Sequence, residues 1–176
     1  MEGIVYCKDP RRFPDDRGFF QEVYNGSRAD PLPASMVQMN HSRSKKGVLR
    51  GMHWQMPNPT GKYVTCTQGR VLDVVVDIRK SSPTFKQWHG YELSEDVGQS
   101  LWVPEGFAHG FVTISPVADL VYLQTAPFSP EGDRCLKWND PEIAIEWPRM
   151  LDKFIISEKD QAAPLLSELP TEALFD

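Results

Sequence analysis

Prolines and glycines cut the middle of this chain into short segments rich in Val, Ile, Phe, Tyr and Thr, and that punctuation limits the fold more than any other feature. Fifteen prolines and twelve glycines are scattered along the chain, so β-prone runs sit between turn formers. The clearest run is Arg70 to Ile78, where Leu72, Val74, Val76 and Ile78 share one face and Val71, Asp73, Val75 and Asp77 share the other. Two carboxylates on one face predict that it looks partly at solvent or at a polar pocket. Further strands are expected over Gly47 to Gln55, Lys62 to Gln68, Trp88 to Leu93, Ser100 to Val103, Phe107 to Ile114 and Ala118 to Thr125. Turns such as Met56 to Gly61 and Ser115 to Val117 separate them. About seven strands on short turns describe an all-β sandwich, jelly roll or small barrel rather than βαβ units.

Helices are expected only near the ends: over Ser27 to Asp30, and after Ser157, where Ser157-Glu158-Lys159-Asp160 has the spacing of a capping box. From Glu131 onward the chain reads as loops, with Trp138 and Trp147 of WNDPEIAIEWP expected to clamp the tail onto the sheet. A length of 176 residues suits one domain with a sizeable core.

Charge and cysteines narrow the function classes. Lys plus Arg number 19 against 24 for Asp plus Glu, a formal net charge of −5 that argues against general nucleic-acid or anionic-membrane binding. Any phosphate site must therefore be local. Cys7, Cys66 and Cys135 are odd in number and not closely paired, which supports neither a disulfide framework nor a zinc knuckle and fits a reducing cytoplasm. Asp9, Arg11, Arg12, Asp15 and Asp16 leave no apolar signal-peptide segment, and nothing later approaches a membrane span.

Several side chains could carry chemistry. In GVLRGMHWQ, strict alternation puts Leu49, Gly51, His53 and Gln55 on one face and Arg50 opposite. For Arg50 and His53 to enter one pocket the strand must bulge or twist, most easily at Gly51. In GFAHGF, His109 follows the Pro104-Glu105-Gly106 turn and shares a face with Phe107 and Phe111. Singly, each histidine reads as a hydrogen-bonded core residue. A metal site is weighed because imidazole is a common ligand. Neither histidine has a second His or a carboxylate two to four residues away on its face, so no metal is expected. By the same reasoning Lys62 is a solvated strand end, Tyr122 a core aromatic with a bonded hydroxyl, and Asp160 the last member of the capping box.

Together the motifs carry more. DDRGFFQE (15 to 22), QMNHSRSKKGVLRGMHWQ (38 to 55), GKYV (61 to 64), VLDVVVDIRKSSPTF (71 to 85), WVPEGFAHGF (102 to 111), VYLQT (121 to 125), WNDPEIAIEWP (138 to 148) and SEKDQAAPLL (157 to 166) span nearly the whole chain. In that order they resemble the dTDP-4-dehydrorhamnose 3,5-epimerase family of nucleotide-sugar epimerases. The resemblance implies a metal-free, cofactor-free cupin-type jelly-roll β-barrel with short peripheral helices near the termini, assembled as a homodimer. It divides the single domain 1–176 into N-terminal strands with the dimer and nucleotide-contact segment (1–46), the barrel core (47–125) and the C-terminal loops and helix (126–176). The implied substrate is a dTDP-4-keto-6-deoxyhexose on the route to dTDP-L-rhamnose, whose C4 ketone acidifies the hydrogens at C3 and C5.

By position, His53 matches the family's general base and Asp160 the carboxylate that orients its ring. Tyr122 matches the proton donor on the opposite face, and Lys62 the cation that stabilises the enolate. Arg17, Glu22 and Arg50 match contacts to the diphosphate and base, the first two on a segment often contributed by the partner subunit, and arginine's planar fork suits phosphate. The resemblance implies that Phe19 or Phe20 stacks on or packs beside thymine, while Gln38, Asn40 and His109 match polar residues of the same pocket. The chain departs from the family at Thr125-Ala126-Pro127-Phe128-Ser129-Pro130, where a pair of tyrosines is common. Competing readings are a single-centre epimerase on a related dTDP-keto sugar, a non-catalytic sugar-nucleotide-binding cupin and, more remotely, a metal-dependent cupin oxygenase.

Overall fold

The computed structural model describes residues 1–28, 32, 35–151 and 153–176. Its strands are β1 (Val5–Cys7), β2 (Arg12–Asp15), β3 (Gly18–Gln21), β4 (Gln38–Lys45), β5 (Leu49–Gln55), β6 (Lys62–Gln68), β7 (Arg70–Asp77), β8 (Trp88–Ser94), β9 (Ser100–Val103), β10 (Phe107–Thr113), β11 (Val117–Gln124) and β12 (Asp133–Cys135). One short helix, α1 (Glu158–Gln161), and single 3₁₀ turns complete the described residues. All seven strands expected from the central segments are present, two of them with the expected bounds and five displaced by a residue or two at their ends. The expected helix over Ser27 to Asp30 is a 3₁₀ turn at Gly26–Arg28, and its Ala29 and Asp30 lie outside the described residues.

Two five-stranded antiparallel sheets face each other as a jelly roll, in the orders β1-β9-β6-β11-β4 and β12-β5-β10-β7-β8. Val64, Leu101 and Leu120 from the first meet Val71, Val75, Leu93 and Phe111 from the second in a buried core. A second core lies behind the second sheet, where Val74, Val76 and Ile78 pack with Met52, Trp54, Leu136, Ile143 and Leu166. Strand β7 is therefore covered on both sides. Each fully buried Val or Ile contributes about 1.5–3 kcal/mol, which explains why this run is apolar on both faces. The C-terminal chain makes the outer cover: Trp54 Nε1 donates to Ala173 O at 2.8 Å. Trp147 Nε1 donates to Trp138 O at 2.9 Å and both rings meet Phe154, contacts that hold the tail to itself, while Trp147, not Trp138, packs against the second core, so only one of the two tryptophans clamps the tail onto the sheet.

The expectation that Asp73 and Asp77 face solvent is overturned, because both are fully buried. Asp73 Oδ1 accepts from His109 at the edge of a polar cavity, so the pocket alternative holds for that residue. Asp77 is instead sealed by Arg79, Ser82 and Thr84. Burial works to raise its carboxyl, and those bonds outweigh burial and bring it down to about 2. Strand β4 escaped the strand pattern because QMNHSRSK has no apolar alternation. It is the edge of its sheet, and its inner residues Gln38, Asn40 and Ser42 face a cavity instead of the core.

Candidate active site

The two sheets part to enclose a cavity of about 720 Å³, and each supplies one wall. Strands β5 and β10 of the second sheet bring Arg50, His53 and His109, while β4, β6 and β11 of the first bring Gln38, Asn40, Lys62 and Tyr122. Arg50 and His53 reach the same space because β5 bulges. His109 pairs with His53 and Phe111 with Arg50, so Gly51 and Met52 together oppose the single residue Gly110. Gly51 takes φ +133°, and a Cβ there would lie 2.6 Å from the Gly110 Cα, so only glycine permits this close approach.

Asp160 reaches this wall from α1. Its Oδ1 lies 2.7 Å from His53 Nε2, and its Oδ2 accepts the Gly51 N–H at 3.3 Å. Burial acts to raise the Asp160 carboxyl, but the bond and charge of His53, with Gly51 and Ser157, hold it below the usual carboxylate range. An ionised carboxylate only accepts, so Nε2 carries the proton and Nδ1 is left with the lone pair. His109 makes a second pair with buried Asp73, at 2.8 Å.

The facing wall is built on register. Tyr122 lies between Val64 and Asn40 across the sheet, and two residues on Gln124 lies between Lys62 and Gln38, so Tyr122 and Lys62 stand on one face. Burial raises the Tyr122 phenol, partly opposed by the Arg50 charge. Burial also pushes the Lys62 amine down to about 8, against the opposing pull of Asp73 and Asp133. Gln38 Nε2 donates to Asn40 Oδ1 at 2.9 Å, and the Asn40 amide donates to Gln124 Oε1.

Eight of the eleven residues singled out in the sequence thus come to one cavity: His53, Lys62, Tyr122, Asp160, Gln38, Asn40, Arg50 and His109. Arg17, Phe20 and Glu22 do not. They belong to the β2–β3 hairpin and the chain just after it, and that hairpin pairs only with itself. Arg17 is exposed and bonded to Asp15, Glu22 Oε2 accepts from Asn25 at 3.1 Å, and Phe20 is 67% exposed. Sequence reasoning missed Asp133 and Lys159, which line the cavity and form an ion pair with each other. Lys159 could have been found beside Asp160 in SEKDQ. Asp133 carries no local signal, since only the pairing of β12 with β5 brings it there. At the departure from the family pattern, Phe128 lines the cavity at 53% exposure, its N–H donating to Gln38 Oε1 at 2.8 Å.

Among the described residues, no group of three or more His, Cys, Asp or Glu side chains could hold a metal ion, and no helix is long and apolar enough to cross a membrane. A cavity with a carboxylate-held imidazole on one wall and a phenol and an amine on the other suits proton removal and return beside a carbonyl.

The chain and its fold are similar to those of known proteins. The dTDP-4-dehydrorhamnose 3,5-epimerase family model matches residues 1–168. The dTDP-4-dehydrorhamnose 3,5-epimerase of Pseudomonas aeruginosa is 50% identical over 160 residues, covering 89% of this chain and 88% of its own. That of Salmonella typhimurium is 50% identical over 169 residues, covering 93% and 91%. The crystal structure of a dTDP-6-deoxy-D-glucose-3,5-epimerase from Legionella pneumophila, in complex with dTDP-4-keto-L-rhamnose, superposes with a TM-score of 0.94 at 41% identity over 99% of this chain and 94% of that one. With a matching family model and half of all aligned residues shared over nearly the full length, this chain belongs to the dTDP-4-dehydrorhamnose 3,5-epimerase family.

Proposed function

We propose that this protein epimerises C3 and C5 of dTDP-4-dehydro-6-deoxy-D-glucose to give dTDP-4-dehydro-L-rhamnose, by proton removal and return at carbons beside the C4 ketone. The observation that carries the reading is the His53–Asp160 pair at 2.7 Å in a cavity that Tyr122 and Lys62 also line. His53 Nδ1 takes the proton from C3 or C5, and the C–H electron pair moves into the ring to make an enolate at O4. Asp160 steadies the imidazolium that forms. The Lys62 ammonium stabilises the enolate oxygen more than the neutral ketone. With its amine pushed down only to about 8, Lys62 keeps its charge near pH 7. Tyr122, kept protonated by burial, returns a proton from the other wall, and inversion follows because donor and acceptor stand on opposite sheets. Solvent then reprotonates the phenolate and takes the proton from His53.

Arg50, exposed at the cavity and hydrogen-bonded to Ser44 Oγ at 3.2 Å, is the cation we assign to the diphosphate. Gln38, Asn40 and His109 line the remaining polar wall. We assign Arg17, Phe20 and Glu22 to the cavity of a second copy in a homodimer. Their distance from the cavity of their own chain supports this, as does the exposure of Phe13, Phe19 and Phe20 on one hairpin. Three free cysteines suit the cytoplasm as its compartment.

Turnover in deuterated water tests the reading. Deuterium at both C3 and C5 of the product is expected; label at one carbon would make this a single-centre epimerase, and binding without label a non-catalytic cupin. For the homodimer, mixing Arg17→Ala with His53→Ala chains should restore activity, because one cavity of the mixed dimer then carries neither lesion.

A further inference from the structure

Asp160 holds the base from a helix too short to sustain itself. Helix α1 has four residues and closes on two backbone bonds, from Gln161 N–H to Ser157 O at 2.9 Å and from Ala162 N–H to Glu158 O at 3.0 Å. A single turn fixes more backbone dihedrals than such bonds offset. A third bond comes from a side chain: Ser157, the N-cap, accepts the Asp160 N–H on its Oγ at 3.1 Å. In a complete capping box the acid at the third position would return to the N–H of the cap. Here the Asp160 carboxylate goes instead to His53 and Gly51, so of the box only the serine's half is made, and it holds the Asp160 N–H directly.

The chain before α1 is fixed independently. Ile155 N–H donates to Gly47 O at 2.8 Å and Leu49 N–H to Ile155 O at 3.0 Å, which tie Ile155 alongside the start of β5. That tie ends two residues short of Ser157; beyond it Gln161 Nε2 donates to Ile156 O at 2.9 Å and Lys159 pairs with Asp133, while the cap is the side-chain bond made to the Asp160 backbone itself.

We propose that Ser157 is a positioning residue for the base: by fixing the Asp160 N–H, its hydroxyl keeps the carboxylate gripping His53 Nε2. The inference rests on the epimerase reading for the role of His53, but not for the geometry. The Ser157 hydroxyl is also among the groups that hold the Asp160 carboxyl low. Other titratable groups around the His53 ring come from every neighbouring element: Arg50 on its own strand, His109 on β10, Asp133 and Cys135 on β12, Lys62 and Tyr122 across the cavity, and Lys159 on α1. None of them bonds to the Ser157 hydroxyl, so a change at 157 reaches His53 through Asp160.

The test compares Ser157→Ala and Ser157→Thr in the full-length protein, reading the His53 imidazole titration by NMR, the thermal midpoint, and kcat and KM on the dTDP-4-keto-6-deoxyglucose substrate against pH. For Ser157→Ala, kcat should fall about three- to tenfold, the population effect of losing one N-cap bond, with KM changed by less than about twofold. Its His53 titration, and the acid limb of kcat/KM with it, should move to lower pH, because a loosened carboxylate stabilises the imidazolium less. Ser157→Thr, which keeps the hydroxyl, should restore all three. An unmoved titration, a rise in KM without a fall in kcat, or a loss that threonine does not recover would overturn the proposal. The titration reads the geometry whether or not the wild type turns over, so a wild type that leaves C3 and C5 unlabelled defeats the epimerase reading alone.

Discussion

On the wall formed by β5 and β10, each imidazole is paired with a buried carboxylate, His53 with Asp160 and His109 with Asp73. On the wall formed by β4, β6 and β11, by contrast, the ionisable side chains are a phenol and an amine. Among the described residues neither is hydrogen-bonded to a carboxylate. On the proposed mechanism, the difference separates the acid from the base. A paired imidazole can accept a proton because the carboxylate stabilises the resulting charge. A half-buried phenol holds its proton more firmly than one in water, and a half-buried amine sits closer to losing its own. The two histidines differ in turn: the His53 side chain is 29% exposed and that of His109 10%, so the first is the one a substrate can reach.

The sharpest way to break this contrast is to remove the proton acceptor. His53→Ala should lower solvent exchange by about a hundred- to ten-thousandfold, the usual contribution of general-base catalysis. His109→Ala should cost much less, and equal losses would show that the walls are misassigned. Asp160→Asn should reduce kcat by roughly a hundredfold, since an amide neither fixes the Nε2–H tautomer nor stabilises the imidazolium. Its acid limb should move to lower pH than that of the wild type. Tyr122→Phe strikes the other wall, and net inversion should fall by about ten- to a hundredfold while proton removal, read as deuterium entering recovered substrate, persists. If inversion survives intact, the phenol is not the donor. The smallest effect concerns Lys62. Activity should decline as pH rises through about 8, because the amine loses the charge that holds the enolate. Lys62→Arg, whose guanidinium stays charged, should carry that alkaline limb beyond about pH 9 at a few-fold cost in kcat.

The strands were legible because their signal is local. Alternation and turn residues within nine positions suffice for β7, and the same holds for β6, β10 and β11. Strand β4 was not, because its inner residues face a cavity and its polar pattern looks like loop. Asp73 and Asp77 misled for a related reason: a carboxylate on a strand normally marks solvent, and its burial requires partners such as His109 and Arg79. The family resemblance pointed to His53, Lys62, Tyr122 and Asp160, and the structure gathers all four. It also pointed to Arg17, Phe20 and Glu22, which a single chain leaves outside its own cavity. Asp133 went unnoticed because it stands in no pattern of its own, and Lys159 because the capping box it belongs to points to Ser157 and Asp160.

By itself, the sequence determined that this chain folds as short antiparallel strands, that it carries no large basic surface, and that glycine stands where β5 must bend. Those properties depend on residue type and on neighbours within a few positions. Tertiary structure alone decided that the bend turns Arg50 and His53 into one cavity, that a carboxylate 107 residues away closes on the imidazole, and that the phenol and amine stand on the opposite sheet. Contacts between distant segments depend on register and on how the sheets pack, and neither is written in local spacing.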